Sequence, residues 1–185
     1  MKIIIACCLL ISVFSCSTSQ PQNLKKLNSK IFNTIHVELL NAVYEFEIDS
    51  NQIIAFDTIS LYGDEMHIKF LENVEVDSEW TKGLNEQLIE NYSINRSAID
   101  IEAINSPFIF ETNPNVINNL SSADSEKFFG ILSLSNFSYN STYDQVVFYM
   151  IIFCGKTCSK GILVNARKLD DAWDISSTLE VWHGE

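Results

Sequence analysis

Cys154 and Cys158 enclose Gly-Lys-Thr at the end of an apolar run, and several chemistries could use such a pair. If the enclosed residues form a hairpin tip, the cysteines face each other across antiparallel strands, with Cα atoms about 4.5 to 5.5 Å apart, which a disulfide bond can span. A redox pair usually has two intervening residues and lies at a helix N-terminus. A zinc site would need two further ligands, and a thiol nucleophile would need a neighbouring base.

The three histidines, His36, His67 and His183, offer no metal-binding spacing, because none has a histidine or cysteine three or four residues away. His36 lies between Phe32 and Leu40 on an apolar face, a position typical of a buried structural histidine. A deep pocket lined by His67 and by carboxylates with shifted pKa values would indicate an enzyme. An exposed apolar patch would instead indicate a binding protein.

Acidic residues are numerous, and some could act together. Asp49, Asp57, Asp64 and Glu65 could include a catalytic carboxylate pair, although a solvated acidic face explains them more simply. Asp170-Asp171 is typical of a turn, and calcium-loop spacing is absent. Serine-hydrolase, zinc-protease, phosphate-loop and dinucleotide-binding motifs are absent as well. The sequence predicts no catalytic residue, metal or cofactor; the alternative is a small exported hydrolase with scattered active-site residues.

Residues 1–15 have the pattern of a cleavable export signal. Lys2 supplies a positive charge, and Ile3 to Phe14 is an apolar stretch of 12 residues, shorter than the roughly 20 that a membrane-spanning helix needs. The segment Val13-Phe14-Ser15-Cys16 resembles the lipobox of bacterial lipoproteins, in which the cysteine becomes the lipid-bearing first residue. Phe14 departs from that motif, which prefers a small residue there. The alternative is an ordinary secretory signal cut near Ser15.

The lipobox resemblance implies a lipid-anchored protein of the cell envelope. A polar, uncharged run follows Cys16, so we divide the chain into a signal (1–15), a flexible tether (16–27) and one folded domain (28–185). Ser17 stands where Asp would favour retention in the inner membrane, which implies the outer membrane by resemblance to Gram-negative lipoproteins. Export also favours a disulfide between Cys154 and Cys158, because disulfides persist in oxidising compartments.

The chain carries a formal charge of −12, and loss of Lys2 with the signal leaves 11 basic and 24 acidic residues. A surface of that sign repels phosphate backbones and anionic lipid headgroups. We therefore expect no nucleic-acid partner, and membrane attachment through the N-terminal lipid rather than through charge. A protein or glycan of the envelope is the expected partner.

Two amphipathic helices are predicted in the N-terminal half. Apolar residues at spacings of three and four between Ser29 and Glu47 predict the first, with Ser29 as its N-cap. The second is capped by Asp77 or Ser78 and has large residues at intervals of four: Trp80, Leu84, Leu88 and Tyr92. A short helix is expected over residues 122–129, ended by Gly130.

Strands are predicted at 53–62 and 66–71, and more clearly at 131–139, 145–154 and 161–167. Residues 145–154 form an almost uninterrupted apolar run, typical of a central strand covered on both faces, although a buried helix fits the same run. From Trp173 to Val181, apolar and polar residues alternate, which predicts a strand with one wet face. The sum is an α+β fold with N-terminal amphipathic helices packed on a C-terminal four-stranded antiparallel meander.

The C-terminal part also resembles a family of small uncharacterised Gram-negative bacterial lipoproteins. The shared signature is CGxxCxxG from Cys154 to Gly161, KxxxxWxI from Lys168 to Ile175, and the closing Trp182. The resemblance covers mainly residues 130–185, with a weaker echo at 79–92. It implies architecture and location and carries no known activity. Our functional expectation is a non-enzymatic envelope lipoprotein with a binding or structural role.

Overall fold

The computed structural model describes residues 22–44, 52–56, 64–76, 78–94, 98–113, 115–116, 128–154 and 159–184. Within these residues the α-helices are α1 (Gln22–Tyr44), α2 (Asp64–Glu72) and α3 (Glu79–Glu90), and a short 3-10 helix covers Ile101–Ala103. The strands are β1 (Ile53–Phe56), β2 (Ile109–Glu111), β3 (Phe128–Tyr139), β4 (Gln145–Phe153), β5 (Lys160–Leu169) and β6 (Ala172–His183).

The strands form one mixed sheet in the order β2-β1-β3-β4-β5-β6. From β3 to β6 each strand pairs antiparallel with the next, whereas β1 runs parallel to both β2 and β3. The predicted α+β class is confirmed. The predicted number of four strands is too low, because β1 and β2 extend the sheet beyond β3 through parallel pairing. Parallel neighbours need long crossover connections, and local sequence patterns do not predict such pairing.

β4 lies at the centre of the sheet and is covered on both faces, as its apolar run predicts. Side chains alternate between the faces of a strand. One set packs in the core that α1 covers: Val146, Phe148, Met150 and Ile152. The other set packs in the core that α2 and α3 cover: Val147, Tyr149 and Ile151. The fold therefore has three layers, with helices on both sides of the sheet.

α1 begins at Gln22, earlier than predicted, and ends at Tyr44. Ser29 is therefore inside the helix and is not its N-cap: its Oγ donates to the Lys25 carbonyl (2.8 Å) and accepts the N–H of Asp100 (2.7 Å). Residues 22–27, predicted as tether, are helical, and 16–21 lie outside the described residues. Among the described residues no helix combines the length and apolar character needed to cross a bilayer.

The predicted strand at 66–71 is wrong, because these residues belong to α2. His67 and Leu71 are both fully buried and stand four residues apart, while Met66 and Lys69 face solvent. That spacing places the two buried side chains on one face of a helix. In so short an apolar segment the helical and strand patterns are hard to distinguish.

The predicted helix at 122–129 is wrong where the structure describes it, because Phe128 begins β3; residues 122–127 lie outside the described residues. Gly130 does not end a helix but lies within β3, where a Cβ would come 2.7 Å from the Phe153 carbonyl oxygen. The predicted strand at 53–62 is confirmed over Ile53–Phe56, and its remainder lies outside the described residues. The second predicted helix is confirmed as α3, with Ser78 as its N-cap.

Gly161 in β5 is required by the close approach of two aromatic side chains. A Cβ at this position would overlap the Nε1 of Trp182 and the Oη of Tyr149. We expect Gly161→Ala to lower the free energy of unfolding by about 1 to 3 kcal/mol, the usual effect of overpacking a core. Urea unfolding followed by circular dichroism measures the difference.

Gly83 offers the matched control, since it lies exposed in α3 and, apart from its chain neighbours and its own helix backbone, no described atom comes within 4 Å of its Cβ position. Gly83→Ala should raise the free energy of unfolding by up to about 1 kcal/mol, because alanine favours a helix interior more than glycine does. Equal stability of Gly161→Ala and the wild type would contradict the packing described for Tyr149 and Trp182.

Candidate functional site

A polar cleft lies where the beginning of α3 meets β5 and β6. Its volume is about 340 Å³, near the lower end of the roughly 300 to 1,000 Å³ typical of small-molecule sites. Its described lining combines hydroxyl, amide, guanidinium and aliphatic side chains: Ser78, Thr81, Ser176, Ser177 and Thr178; Gln145 and Asn165; Arg167; Val76, Leu163 and Leu179.

β5 carries three of these residues on one face. Leu163, Asn165 and Arg167 are two residues apart and so point to the same side of the sheet. This is the side covered by α2 and α3, because Leu163 belongs to the core there. Along the strand the side chains change from Leu163 (2% exposed) through Asn165 (5% exposed) to the exposed Arg167. The polar cleft therefore lies where the core on this face ends.

Asn165 organises a hydrogen-bond network in the wall of the polar cleft. Its Nδ2 donates to Thr81 Oγ1 (3.0 Å) and to Ser177 Oγ (3.3 Å). The hydroxyl oxygens of Thr81 and Ser78 are 2.6 Å apart, and Ser78 Oγ also accepts the backbone N–H of Thr81. One hydroxyl proton lies between the oxygens of Thr81 and Ser78, and the other proton of this pair is left over. The Ser177 hydroxyl, whose oxygen accepts from the amide, can donate its own proton to a ligand in the polar cleft.

Two groups of the polar cleft have no protein partner within the part of the chain that the structure describes. The Oδ1 of Asn165 is buried and accepts no hydrogen bond, an arrangement that costs about 1 to 3 kcal/mol. Arg167 forms no ion pair. By contrast, Lys160 pairs with Glu180 (3.4 Å) and Lys168 with Asp171 (3.8 Å). Within the described residues, the polar cleft thus holds a buried acceptor without a hydrogen bond and a cation without an ion pair.

His36 is a core residue, as its position between Phe32 and Leu40 predicts. Its exposed fraction is 1%, and its Nδ1 donates to the carbonyl oxygens of Phe32 (3.0 Å) and Asn33 (3.2 Å). The rings of Phe32, Phe108 and Phe110 surround it. Burial lowers the pKa of His36, although the two carbonyl groups act in the opposite direction. The residue is held neutral and does not line the polar cleft.

His67 is also fully buried, in an aromatic cluster. Its Nδ1 is 3.3 Å from the Oη of Tyr149, and that oxygen accepts the indole N–H of Trp182. Phe70 and Tyr92 pack against the imidazole ring, and burial raises the pKa of Tyr149. Among the described residues, the rings next to His67 are those of Phe70, Tyr92, Tyr149 and Trp182.

His183 is exposed and lies 3.0 Å from the carboxylate of Glu180, so the three histidines are in three separate surroundings. In the described segments no group of three or more His, Cys, Asp or Glu side chains could hold a metal ion. Of the acidic residues singled out from the sequence, Asp170 and Asp171 form the turn between β5 and β6, as predicted, with Asp170 in the left-handed region at φ 54°.

The cysteine predictions fall largely outside the described residues. Cys16 and Cys158 lie outside them, so lipid attachment at Cys16 stays a prediction. Cys154 follows directly after β4 and is disulfide-bonded, and it is the one cysteine within the described ranges. Its pairing with Cys158 also stays a prediction.

No protein-family model, curated protein or solved structure matches the chain. The resemblance to a family of small bacterial lipoproteins therefore stays a prediction from the quoted signature.

The residues of the polar cleft were not singled out from the sequence. Asn165 and Thr81 are 84 residues apart, so their hydrogen bond has no local signature. One signal was present in the sequence. Asn165 interrupts the otherwise apolar run from Ile162 to Ala166, and Arg167 follows that run. A polar residue amid buried strand positions indicates either a satisfied network or a ligand.

Protonation of His36 should destabilise the protein. Burial lowers its pKa in the folded state from the usual 6.5, so the unfolded chain binds the proton more tightly. The contribution of His36 to the free energy of unfolding is then complete above pH 6.5 and is lost as the pH falls through 6.5 toward the lowered pKa. Urea unfolding across this pH range measures the loss.

His36→Leu keeps an apolar side chain on this face and should flatten the pH dependence between about pH 5 and 7, where histidine titrates. His183→Gln is the control, because replacement at an exposed position should alter stability little. The same pH dependence in His36→Leu as in the wild type would contradict the assignment to His36.

Proposed function

We propose that the protein is an exported, lipid-anchored envelope lipoprotein whose folded domain binds a small polar ligand in the polar cleft without acting on it chemically. The observation that carries the binding role is the buried Oδ1 of Asn165, which lacks a protein partner within the described residues although its Nδ2 is held by Thr81 and Ser177. An amide fixed at one end, with an unmet acceptor in the wall of a cleft, suits a ligand that donates a hydrogen bond.

The chemistry of the polar cleft favours binding over catalysis. Its described lining contains hydroxyls, amides and one guanidinium, but no carboxylate, histidine or thiol. Such groups bind and orient a ligand, whereas hydrolysis needs a general base or an activated nucleophile. A deep pocket lined by His67 would favour the hydrolase alternative, and within the described residues His67 contacts Tyr149, Phe70 and Tyr92 in the core.

The location rests on the N-terminal sequence. The apolar stretch before Cys16 and the lipobox resemblance support lipidation at that cysteine, and Ser17 supports the outer membrane. Export in turn supports a Cys154–Cys158 bridge that closes the β4–β5 connection. A bridge over so short a loop stabilises by about 2 kcal/mol in the chain-entropy model, so it fixes a turn more than it holds the fold.

Cys16→Ala should abolish lipidation and release the protein from the membrane fraction, because the cysteine thiol is the proposed attachment point. Fractionation of cells followed by mass spectrometry of the N-terminal peptide measures both effects. Cys7→Ala, within the apolar stretch of the signal, is the control and should leave the lipidated form intact. Unchanged membrane partition of Cys16→Ala would contradict the lipoprotein assignment.

Asn165→Ala should weaken ligand binding at least about tenfold, the equivalent of one lost hydrogen bond of about 1.4 kcal/mol. Two-dimensional NMR of the protein against a panel of neutral sugars, sugar acids and amino acids measures binding. The resonances of Asn165 and of residues 176–178 should shift together.

Asn85 offers a matched control for this substitution. It is also 5% exposed, and its buried Oδ1 also has no hydrogen-bond partner in the described part of the chain, but it does not line the polar cleft. Asn85→Ala should therefore alter stability to a similar degree and leave binding unchanged. If the panel shifts no resonance of the polar cleft, or if Asn85→Ala weakens binding as much as Asn165→Ala, the polar cleft is not the binding site.

A further inference from the structure

We infer that the ligand of the polar cleft is a hydroxylated anion, a sugar-sized molecule that carries a carboxylate or a phosphate. This inference rests on the proposed function and names the chemistry of its ligand. Two requirements of the polar cleft, one for an acceptor-rich charged group and one for a hydrogen-bond donor, lead to it.

The first requirement follows from the direction of the hydrogen bonds. Asn165 donates to both Thr81 and Ser177, and one proton joins the hydroxyl oxygens of Thr81 and Ser78. Ser177 and one hydroxyl of the Ser78–Thr81 pair therefore keep an O–H that can donate to a ligand. Hydrogen bonds from such donors are strongest when the acceptor is ionised. These O–H donors therefore favour a ligand group with several acceptor oxygens.

Arg167 supports a negative charge on that group. The chain has only two arginines, Arg96 and Arg167, among 24 acidic residues. Even so, Arg167 forms no ion pair within the described residues, although it lies beside hydroxyl donors in the polar cleft. A guanidinium presents a planar fork that matches carboxylate and phosphate oxygens. An anion there would pair with a cation that has no ion pair among the described residues.

The second requirement comes from Asn165. Its Oδ1 is an acceptor, and an ionised carboxylate has no proton to give it. A ligand that satisfies it must therefore also carry a hydroxyl or another donor, which a simple carboxylate such as acetate lacks. The volume of about 340 Å³ is suited to one small molecule. A monosaccharide with one anionic substituent meets both requirements.

Isothermal titration calorimetry with four probes tests the inference on the folded domain: D-glucuronate, D-glucose 6-phosphate, D-glucose and acetate. We expect at least one of the two anionic sugars to bind about tenfold or more tightly than both glucose and acetate. The comparison of D-glucuronate with D-glucose 6-phosphate shows whether the polar cleft prefers a carboxylate or a phosphate. Arg167→Gln should lower the affinity for the anionic sugar toward that for glucose, and Arg167→Lys should retain part of it.

Lys168→Gln is the matched charge control, because Lys168 is the next residue of β5, pairs with Asp171, and does not line the polar cleft. It should change the affinity less than twofold. Arg167 is exposed, so its variants should remain folded, which urea unfolding verifies.

The outcomes separate this inference from the proposed function. Equal affinity for glucose and the anionic sugars, unchanged in Arg167→Gln, would overturn the anionic ligand and leave the polar cleft as a binding site. Acetate binding as tightly as the anionic sugars would overturn the need for a hydroxyl. If none of the four probes binds, the hydroxylated anion is overturned; if the wider NMR panel also shifts no resonance of the polar cleft, the proposed function fails with it.

Discussion

The rest of the structure depends on β4, a strand with no side that faces water. Seven consecutive residues from Val146 to Ile152 are buried, each of them 2% exposed or less. Burying a large apolar side chain contributes about 1.5 to 3 kcal/mol, but only if both faces and both edges of the strand are covered. β3 and β5 therefore pair with its edges, α1 covers one face, and α2 and α3 cover the other. The N-terminal helices are thus needed to complete a core that the C-terminal strands cannot close alone.

The two helical layers use their polar residues differently. On α1, Asn28 donates to the Ala98 carbonyl and accepts the hydroxyl of Tyr139, while Asn33 accepts the N–H of Asn105. These bonds fasten the segment before β2 to the helix and use both ends of the Asn28 amide. On β5, against which the start of α3 packs, the amide of Asn165 is satisfied only at its donor end within the described residues. The first amide joins two segments of the fold, and the second keeps a buried acceptor in a residue that lines the polar cleft.

The predictability of each element follows from how local its determinants are. β4, β5 and β6 were predicted to within about two residues, because an apolar run and a strict alternation are read directly from neighbouring residues. α1 begins before its predicted start, because its first turns carry Lys25, Lys26 and Asn28 in place of a continuous apolar face. α2 stands where the pattern predicts a strand, since a few apolar residues fit either period. β2 and the parallel pairing of β1 depend on contacts between distant segments, which a single sequence does not display.

The polar cleft was beyond prediction for the same reason, although its components were visible. Thr81 follows the cap of α3, Asn165 lies in the middle of β5, and Ser177 lies opposite Asn165 on β6. Only the packing of α3 on the sheet brings Thr81 next to Asn165 and Ser177. Because Leu84 and Leu88 further along α3 belong to the same core as Leu163, the apolar contacts that hold the helix also fix the polar groups at its beginning. The core therefore determines where the candidate site lies. The chemistry of the site depends on polar residues at the edge of that core.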